Sequence, residues 1–323
     1  MGADIVVVGS LNMDLSVKVT RRPQKGETVL GSAFLASPGG KGANQAFAAG
    51  RLGASVAMIG KVGDDAFGGQ LLSRLDEAGV DVSGIAAVAG VPTGIASIQV
   101  DAEGDNSIVV APGANEKLVP ADIRVHERLI AEAKLLMLQL EIPLDTVCEA
   151  AMIASRHRVP VLLDPAPARE LPDELLALVD YIVPNESEIA ELAGIAVSDM
   201  ETAIQAANDL KSRGVATVFS KLGKNGVVVI GKDETFAMAG YPVLPVDTTA
   251  AGDAFAGALA AALVSGRSLK EAARFANAVG ALAVTKPGAQ SAMPDLTEAE
   301  RFMKEAAQAA ESSNPFQGGV IHG

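Results

Sequence analysis

Residues 135–163 read LLMLQLEIPLDTVCEAAMIASRHRVPVLL. The run 135–138 is apolar and short enough for a buried strand, 144–155 carries its apolar residues at helical spacing, and 161–163 starts a second apolar strand. The same alternation continues downstream, with strands expected at 181–183, 215–220 and 227–230 and helices at 173–179, 186–193 and 200–213. Short β-rich runs separated by helices are the signature of βαβ units in a parallel sheet, and right-handed crossovers then place helices on both faces. The expected class is α/β, doubly wound, around a mainly parallel central sheet.

The N-terminal third follows a different pattern. Segments 5–8 and 56–59 read as buried strands, whereas 15–19, 28–30, 95–100 and 107–110 alternate apolar and polar residues, which predicts antiparallel strands with one wet face. With helices at 42–52 and 66–79 between them, these strands are expected to form a small sheet inserted at about 13–38 and 93–111, serving as a lid or an oligomer interface. One domain is expected over 1–311. The Gly-, Pro- and Ser-containing tail 312–323 is expected to be disordered.

A chain of 323 residues that is 49% hydrophobic and 20% charged can bury a large core. Its net charge of −13 opposes binding to nucleic acid or to anionic membrane surfaces, so any phosphate it handles must be held locally. No stretch approaches the roughly 18–20 apolar residues of a membrane span. Asp4 precedes the first strand where a signal peptide would carry a basic head, so a cytoplasmic location is expected. The one cysteine, Cys148, has no internal disulfide partner and is expected to be a buried structural thiol. His126, His157 and His322 are scattered, which argues against a histidine metal site. With no Trp and 3% aromatics, platforms for stacking single-stranded nucleic acid are not expected either.

Five segments stand out for chemistry. Asp247-Thr-Thr-Ala-Ala-Gly-Asp253 leads into a helix of small residues, where the amides of Ala250, Ala251 and Gly252 can point at an anion and the helix dipole favours it. Asp253 either caps that helix or accepts a proton from an attacking hydroxyl. Ser37-Pro-Gly-Gly-Lys-Gly-Ala-Asn44-Gln is a glycine-rich turn before a helix; Leu35 and Gly42 exclude a phosphate loop of the G-x-x-x-x-G-K-[ST] type. Gly9-Ser-Leu-Asn12-Met-Asp14 follows the first strand without a dinucleotide fingerprint, and its polar groups suit a small polyol or a simple turn. Asn185-Glu-Ser-Glu188 opens a helix, either as a cap or as a pair that organises Mg2+ through water. The turn Lys221-Leu-Gly-Lys-Asn-Gly226 links two strands.

Together these segments resemble the ribokinase family of carbohydrate kinases, also called the phosphofructokinase-B type, over residues 4 to about 295. The resemblance rests on Gly39 to Gln45, on Asp247 to Asp253, and on Asp164-Pro-Ala-Pro followed by Pro184-Asn185-Glu186. It implies ATP-dependent phosphorylation of ribose or a similar small sugar at a hydroxymethyl group. Asn12, Asp14, Gly40, Lys41, Asn44, Glu141 and Asp253 would bind the sugar, with Asp253 as general base and the 250–252 amides as anion hole. Asn185, Lys221, Leu222, Gly223, Gly226, Gly252 and Asn277 would bind ATP, and Asn185 and Glu188 would order Mg2+. K+ would sit against Asp247, Thr249, Ala283, Lys286, Gly288 and Ala292, mostly through carbonyls. The resemblance also implies a homodimer through the lid.

Two positions depart from the pattern. Lys221 stands where Thr is common, and Ala292 where Ser is, with Ser291 one place earlier. The first alters the expected phosphate contacts and the second puts one cation ligand in doubt. Competing expectations are a kinase for 2-deoxyribose, fructose or a nucleoside, and a catalytically silent sugar-binding regulator.

Overall fold

The structure is a computed structural model and describes residues 2–103 and 105–312. Its strands are β1 (Ile5–Val8), β2 (Asn12–Lys18), β3 (Ala33–Gly39), β4 (Val56–Gly63), β5 (Val80–Val88), β6 (Gly94–Val100), β7 (Asn106–Ala111), β8 (Leu135–Leu138), β9 (Val161–Leu163), β10 (Tyr181–Ile182), β11 (Thr217–Lys221), β12 (Val227–Ile230) and β13 (Thr235–Met238). Nine of them form one sheet in the order β13-β12-β11-β10-β9-β8-β1-β4-β5. From β5 across to β11 every pairing is parallel, and β12 and β13 close that edge antiparallel. The α/β doubly wound expectation is met.

Strand β1 is buried on both faces, as an all-apolar run inside a parallel sheet must be. One core joins its Ile5 and Val7 to helices Lys41–Arg51, Ala251–Val264 and Leu269–Ala283; the other joins Val6 and Val8 to helices Leu144–Arg156, Glu186–Ala193 and Met200–Ser212. The order of strands reverses between β1 and β8. In a doubly wound sheet the loops leaving such a pair diverge and open a crevice at the carboxyl ends.

The remaining four strands form a separate sheet, β3-β2-β6-β7. Two expectations about it need correction. The strand expected at 28–30 is not there; Leu30 is exposed on irregular chain, and β3 begins at Ala33. The sheet is also not wholly antiparallel, because β2 and β6 run parallel between antiparallel edges. Alternation reports that one face is wet, and strand direction is set by the connections, which here route through the main sheet.

Helices Leu269–Ala283 and Leu296–Ser312 and strands β5 and β13 were not anticipated from sequence. Cys148 is partly rather than fully buried, and burial raises its thiol pKa. The tail expected at 312–323 lies outside the described residues apart from Ser312, which ends the last helix. Among the described residues no helix is long and apolar enough to cross a membrane.

Candidate active site

The crevice between β1 and β8 collects two polar clusters. Past the end of β8, Glu141 Oε2 accepts from Ser10 Oγ at 2.6 Å, from Asn12 Nδ2 at 3.3 Å and from the Lys41 amide at 3.1 Å. One carboxylate thus ties the loop after β1 to the start of helix Lys41–Arg51. Gly40 caps that helix with φ +88, a conformation only glycine adopts without strain, and a Cβ there would meet the Asn12 amide at 2.6 Å. Gly42 is equally constrained, since a Cβ would lie 2.7 Å from Gly9 Cα. The expected glycine turn is therefore a close backbone approach. Asp14, on β2 opposite Ser37 of β3, places its carboxylate over Gly39.

The second cluster forms where helix Lys41–Arg51 crosses helix Ala251–Val264. Gly257 permits the crossing, because a Cβ would come within 2.7 Å of Ala48 Cβ and of the Gln45 carbonyl. Four residues earlier Asp253 points the same way, buried at 5% exposure. Its Oδ2 accepts from Asn44 Nδ2 at 2.9 Å and its Oδ1 from Gln45 Nε2 at 3.1 Å. Gln45 Nε2 also donates to Asp164 Oδ2 at 2.8 Å, while Gln45 Oε1 accepts from Gln139 Nε2 and Asn44 Oδ1 from Gln290 Nε2. Of the two readings of Asp253, the helix-cap one fails: the N-cap is Ala250, a non-glycine at φ +57, and Asp253 bonds to side chains instead.

Electrostatics follow from this crowding. Burial pushes the Asp253 carboxyl up to about 6 against the pull of the Lys41 ammonium; Asp164 adds to the rise and the two amides oppose it. Burial, then the charges of Glu141 and Asp253, lift Asp14 to about 7, with Lys41 opposing. For Lys41 burial disfavours the charge, but Asp253, Asp164, Glu141 and Glu188 outweigh it and hold the ammonium above its ordinary value.

The other expected residues lie around this centre with varying engagement. Asn185 and Glu188 form a reciprocal capping box: Asn185 Oδ1 accepts the Glu188 amide at 2.8 Å, and Glu188 takes the Asn185 amide at 2.7 Å and its Nδ2 at 2.8 Å. Burial raises the Glu188 pKa, with Lys221 opposing. Lys221 ends β11, bridges to Asn185, and donates from Nζ to Asp164 at 3.2 Å. Leu222, Gly223 and Gly226 make the turn to β12, with Gly223 at φ +51 and Gly226 at φ +97.

Asn277 stands apart, donating to the Ala239 carbonyl at 2.8 Å and lining a cleft of about 260 Å³ with Met238, Tyr241 and Arg274. Asp247 accepts the Thr249 amide at 2.9 Å and the Gly288 amide at 2.8 Å, which joins the loop before helix Ala251–Val264 to the loop after helix Leu269–Ala283. Beside it Ala283 and Ala292 are buried, and the Lys286 side chain turns away to Glu298 at 2.8 Å.

Gln45, Asp164, Gln139, Gln290 and Asn115 were missed as site residues. Gln45 and Asp164 stood inside motifs already singled out, and Gln139 is a lone polar residue after an apolar run. Asn115, which bonds both Leu11 and Asn12 from a 3-10 turn, carried no sequence signal.

Comparison with known proteins adds an independent line. A profile of the pfkB family carbohydrate kinases matches residues 3–296. The chain is 43% identical to ribokinase of Haemophilus influenzae over 306 residues, covering 95% of this chain and all of that one. It is 36% identical to deoxyribokinase of Salmonella typhi, covering 93% of this chain and 98% of the other. Among solved structures, Arabidopsis thaliana ribokinase complexed with ribose and ATP superposes with a TM-score of 0.88 at 35% identity, covering 94% of this chain and 99% of that one.

Proposed function

The chain belongs to the pfkB family of carbohydrate kinases, and on that premise we propose that it transfers the γ-phosphoryl group of ATP to O5 of D-ribose, giving ribose 5-phosphate. The observation that carries the reading is the buried Asp253 carboxylate, oriented by Asn44 and Gln45 at the start of helix Ala251–Val264 and facing the crevice that Asn12, Asp14 and Glu141 line.

Phosphoryl transfer asks the protein for positioning and charge stabilisation rather than covalent chemistry. Asn12, Asp14, the Gly40–Lys41 turn, Asn44 and Glu141 orient the sugar hydroxyls. Asp253 takes the proton as O5 attacks in line, and a carboxylate titrating near 6 is ionised at neutral pH yet more basic than an ordinary aspartate. The amides of Ala250, Ala251 and Gly252 receive charge developing on the transferring group. Asn185, the turn from Lys221 to Gly226 and Asn277 hold the nucleotide, and the small sheet, acting as a lid, excludes water.

Mg2+ and K+ belong to the same proposal. Asn185 and Glu188 offer hard oxygens in a part-buried setting, a donor set that fits a hydrated Mg2+. The loops joined by Asp247 offer carbonyls at Thr249, Ala283, Lys286, Gly288 and Ala292, which suit a monovalent cation. When bound, the two ions neutralise phosphate charge and add positive field beside the anion hole. Phe34 and Val109 are 66% and 71% exposed on one face of the small sheet, and this exposed apolar surface supports a homodimer through it. A cytoplasmic location completes the reading.

The test is ADP release from ATP and Mg2+ with ribose, 2-deoxyribose, fructose, adenosine or no sugar, each in K+ or Na+. Ribose-dependent turnover raised by K+ is expected. Turnover confined to another substrate would move the specificity, and ribose binding without turnover would make the protein a regulator.

A further inference from the structure

Lys221 is a charged residue in a place where the fold needs none. It closes β11, its amide donates to the Pro184 carbonyl at 2.8 Å, and its side chain is 12% exposed. Asp164, its partner at 3.2 Å, is 2% exposed. Withdrawing two such charges from water costs more than an apolar pair of equal volume, so their pairing alone gives weak reason to keep them. Their position supplies a better one. A Cβ on Gly252 would come to 3.2 Å from Lys221 Nζ, so the ammonium lies against the backbone of the proposed anion hole. An ammonium has three protons, and among the described residues Asp164 is the acceptor of one.

The charge balance points the same way. Among the described residues, Lys41 acts on Asp14, Asp253 and Glu188 and Lys221 acts on Glu188 and Asp164, so these two ammoniums stand against five carboxylates, Glu141 included, and an arriving phosphate meets more negative than positive groups. Lys41 begins the helix on the Glu141 side, whereas Lys221 stands beside Gly252. Asp164 meanwhile receives Gln45 on its second oxygen, and Gln45 holds Asp253. The general base and the ammonium are thus fixed by one network.

We propose that the Lys221 ammonium is a catalytic group that contacts the transferring phosphoryl oxygens beside Gly252, with Asp164 as its positioning residue. The proposal rests on the phosphotransfer reading above. The charge on those oxygens is redistributed in the transition state, where a fixed ammonium counts for most.

The experiment compares wild type with Lys221→Thr and with the double variant Asp164→Asn/Lys221→Thr, in which no buried carboxylate is left unpaired. Steady-state constants are measured with ribose and ATP, together with affinities for a non-hydrolysable ATP analogue and for ADP with aluminium fluoride in the presence of ribose. Both variants should lose roughly tenfold to a hundredfold in kcat, less than a fixed backbone donor because the ammonium sits on a flexible stem, with KM for ribose within about threefold. The aluminium fluoride complex should weaken in parallel with kcat while the analogue's affinity changes little.

A double variant within about threefold of wild-type kcat would overturn the role, as would equal losses for the two nucleotide complexes. If Lys221→Thr fails to fold, the double variant decides. Absence of sugar-dependent turnover in wild type overturns the phosphotransfer reading and this role with it, whereas wild-type turnover preserved in the variants overturns the role of Lys221 alone.

Discussion

The Asp253 cluster and the Asn185–Glu188 turn both hold carboxylates that act on the Lys41 ammonium, yet they are built in opposite ways. Asp253 is held by Asn44 and Gln45, more than 200 residues away in sequence, and through Gln45 it is joined to Asp164 and Gln139. Glu188 is held by Asn185, three residues away, in a box that any helix start can form. The first arrangement exists only once the whole sheet and two crossing helices are in place; the second comes with its own helix. On the proposed function, proton transfer is assigned to the cluster that the complete fold enforces, and the nucleotide end to a turn that local structure supplies.

Substituting the centre of each region should separate them. Asp253→Asn keeps an acceptor and a near-identical shape, so the fold should survive while kcat falls by about 10²–10⁴; a circular dichroism melt beside the turnover assay checks both halves. Retained turnover would remove the general base from the long-range cluster.

Asp14→Asn probes the cost of crowding carboxylates. Asp14 titrates at about 7 in the folded protein against an ordinary value of 3.8, so the folded state binds the extra proton between those values and loses stability as pH rises through that window. Removing the charge should therefore stabilise the protein at pH about 8, on the order of 2 kcal/mol after allowance for partial exposure, and the gain should fade as pH falls toward about 4. Denaturant unfolding at several pH values measures it, and a pH-independent gain would contradict the electrostatic account.

Glu188→Gln leaves a side chain able to accept from Asn185 but removes the charge. Apparent affinity for Mg–ATP should weaken roughly tenfold while ribose affinity and melting temperature stay close to wild type, which isothermal titration and thermal unfolding would read. A fall in ribose affinity would mean that the local turn is coupled to the distant cluster after all. The smallest effect expected is on pH: with Asp253 near 6, the rate at saturating substrate should fall about twofold between pH 7 and pH 6.

The same division explains what could be read from sequence. The parallel sheet was legible because strands such as 135–138 and helices such as 144–155 carry their periodicity locally, and residues 250–253 announced themselves by motif. Gln45 and Asp164 escaped as functional residues because their meaning lies in a three-way contact that no local spacing encodes. Asn115 escaped more completely, being an ordinary polar residue on a 3-10 turn until the fold brings it against Leu11 and Asn12. The parallel pairing of β2 with β6 was misjudged because alternation fixes which side chains are wet and leaves strand direction open.

Only Gly9, Ser10 and Leu11 separate β1 of the large sheet from β2 of the small one, and two of the three are clamped: Ser10 by Glu141 and by the Ala43 amide on its carbonyl, the Leu11 backbone by Asn115. In mechanical terms this joint is a fulcrum, and Asn12 lies beside it. A rotation of the small sheet about the joint would carry its far edges through long arcs while displacing Asn12 least, so the sugar contact proposed there would sit at the still point of the lever.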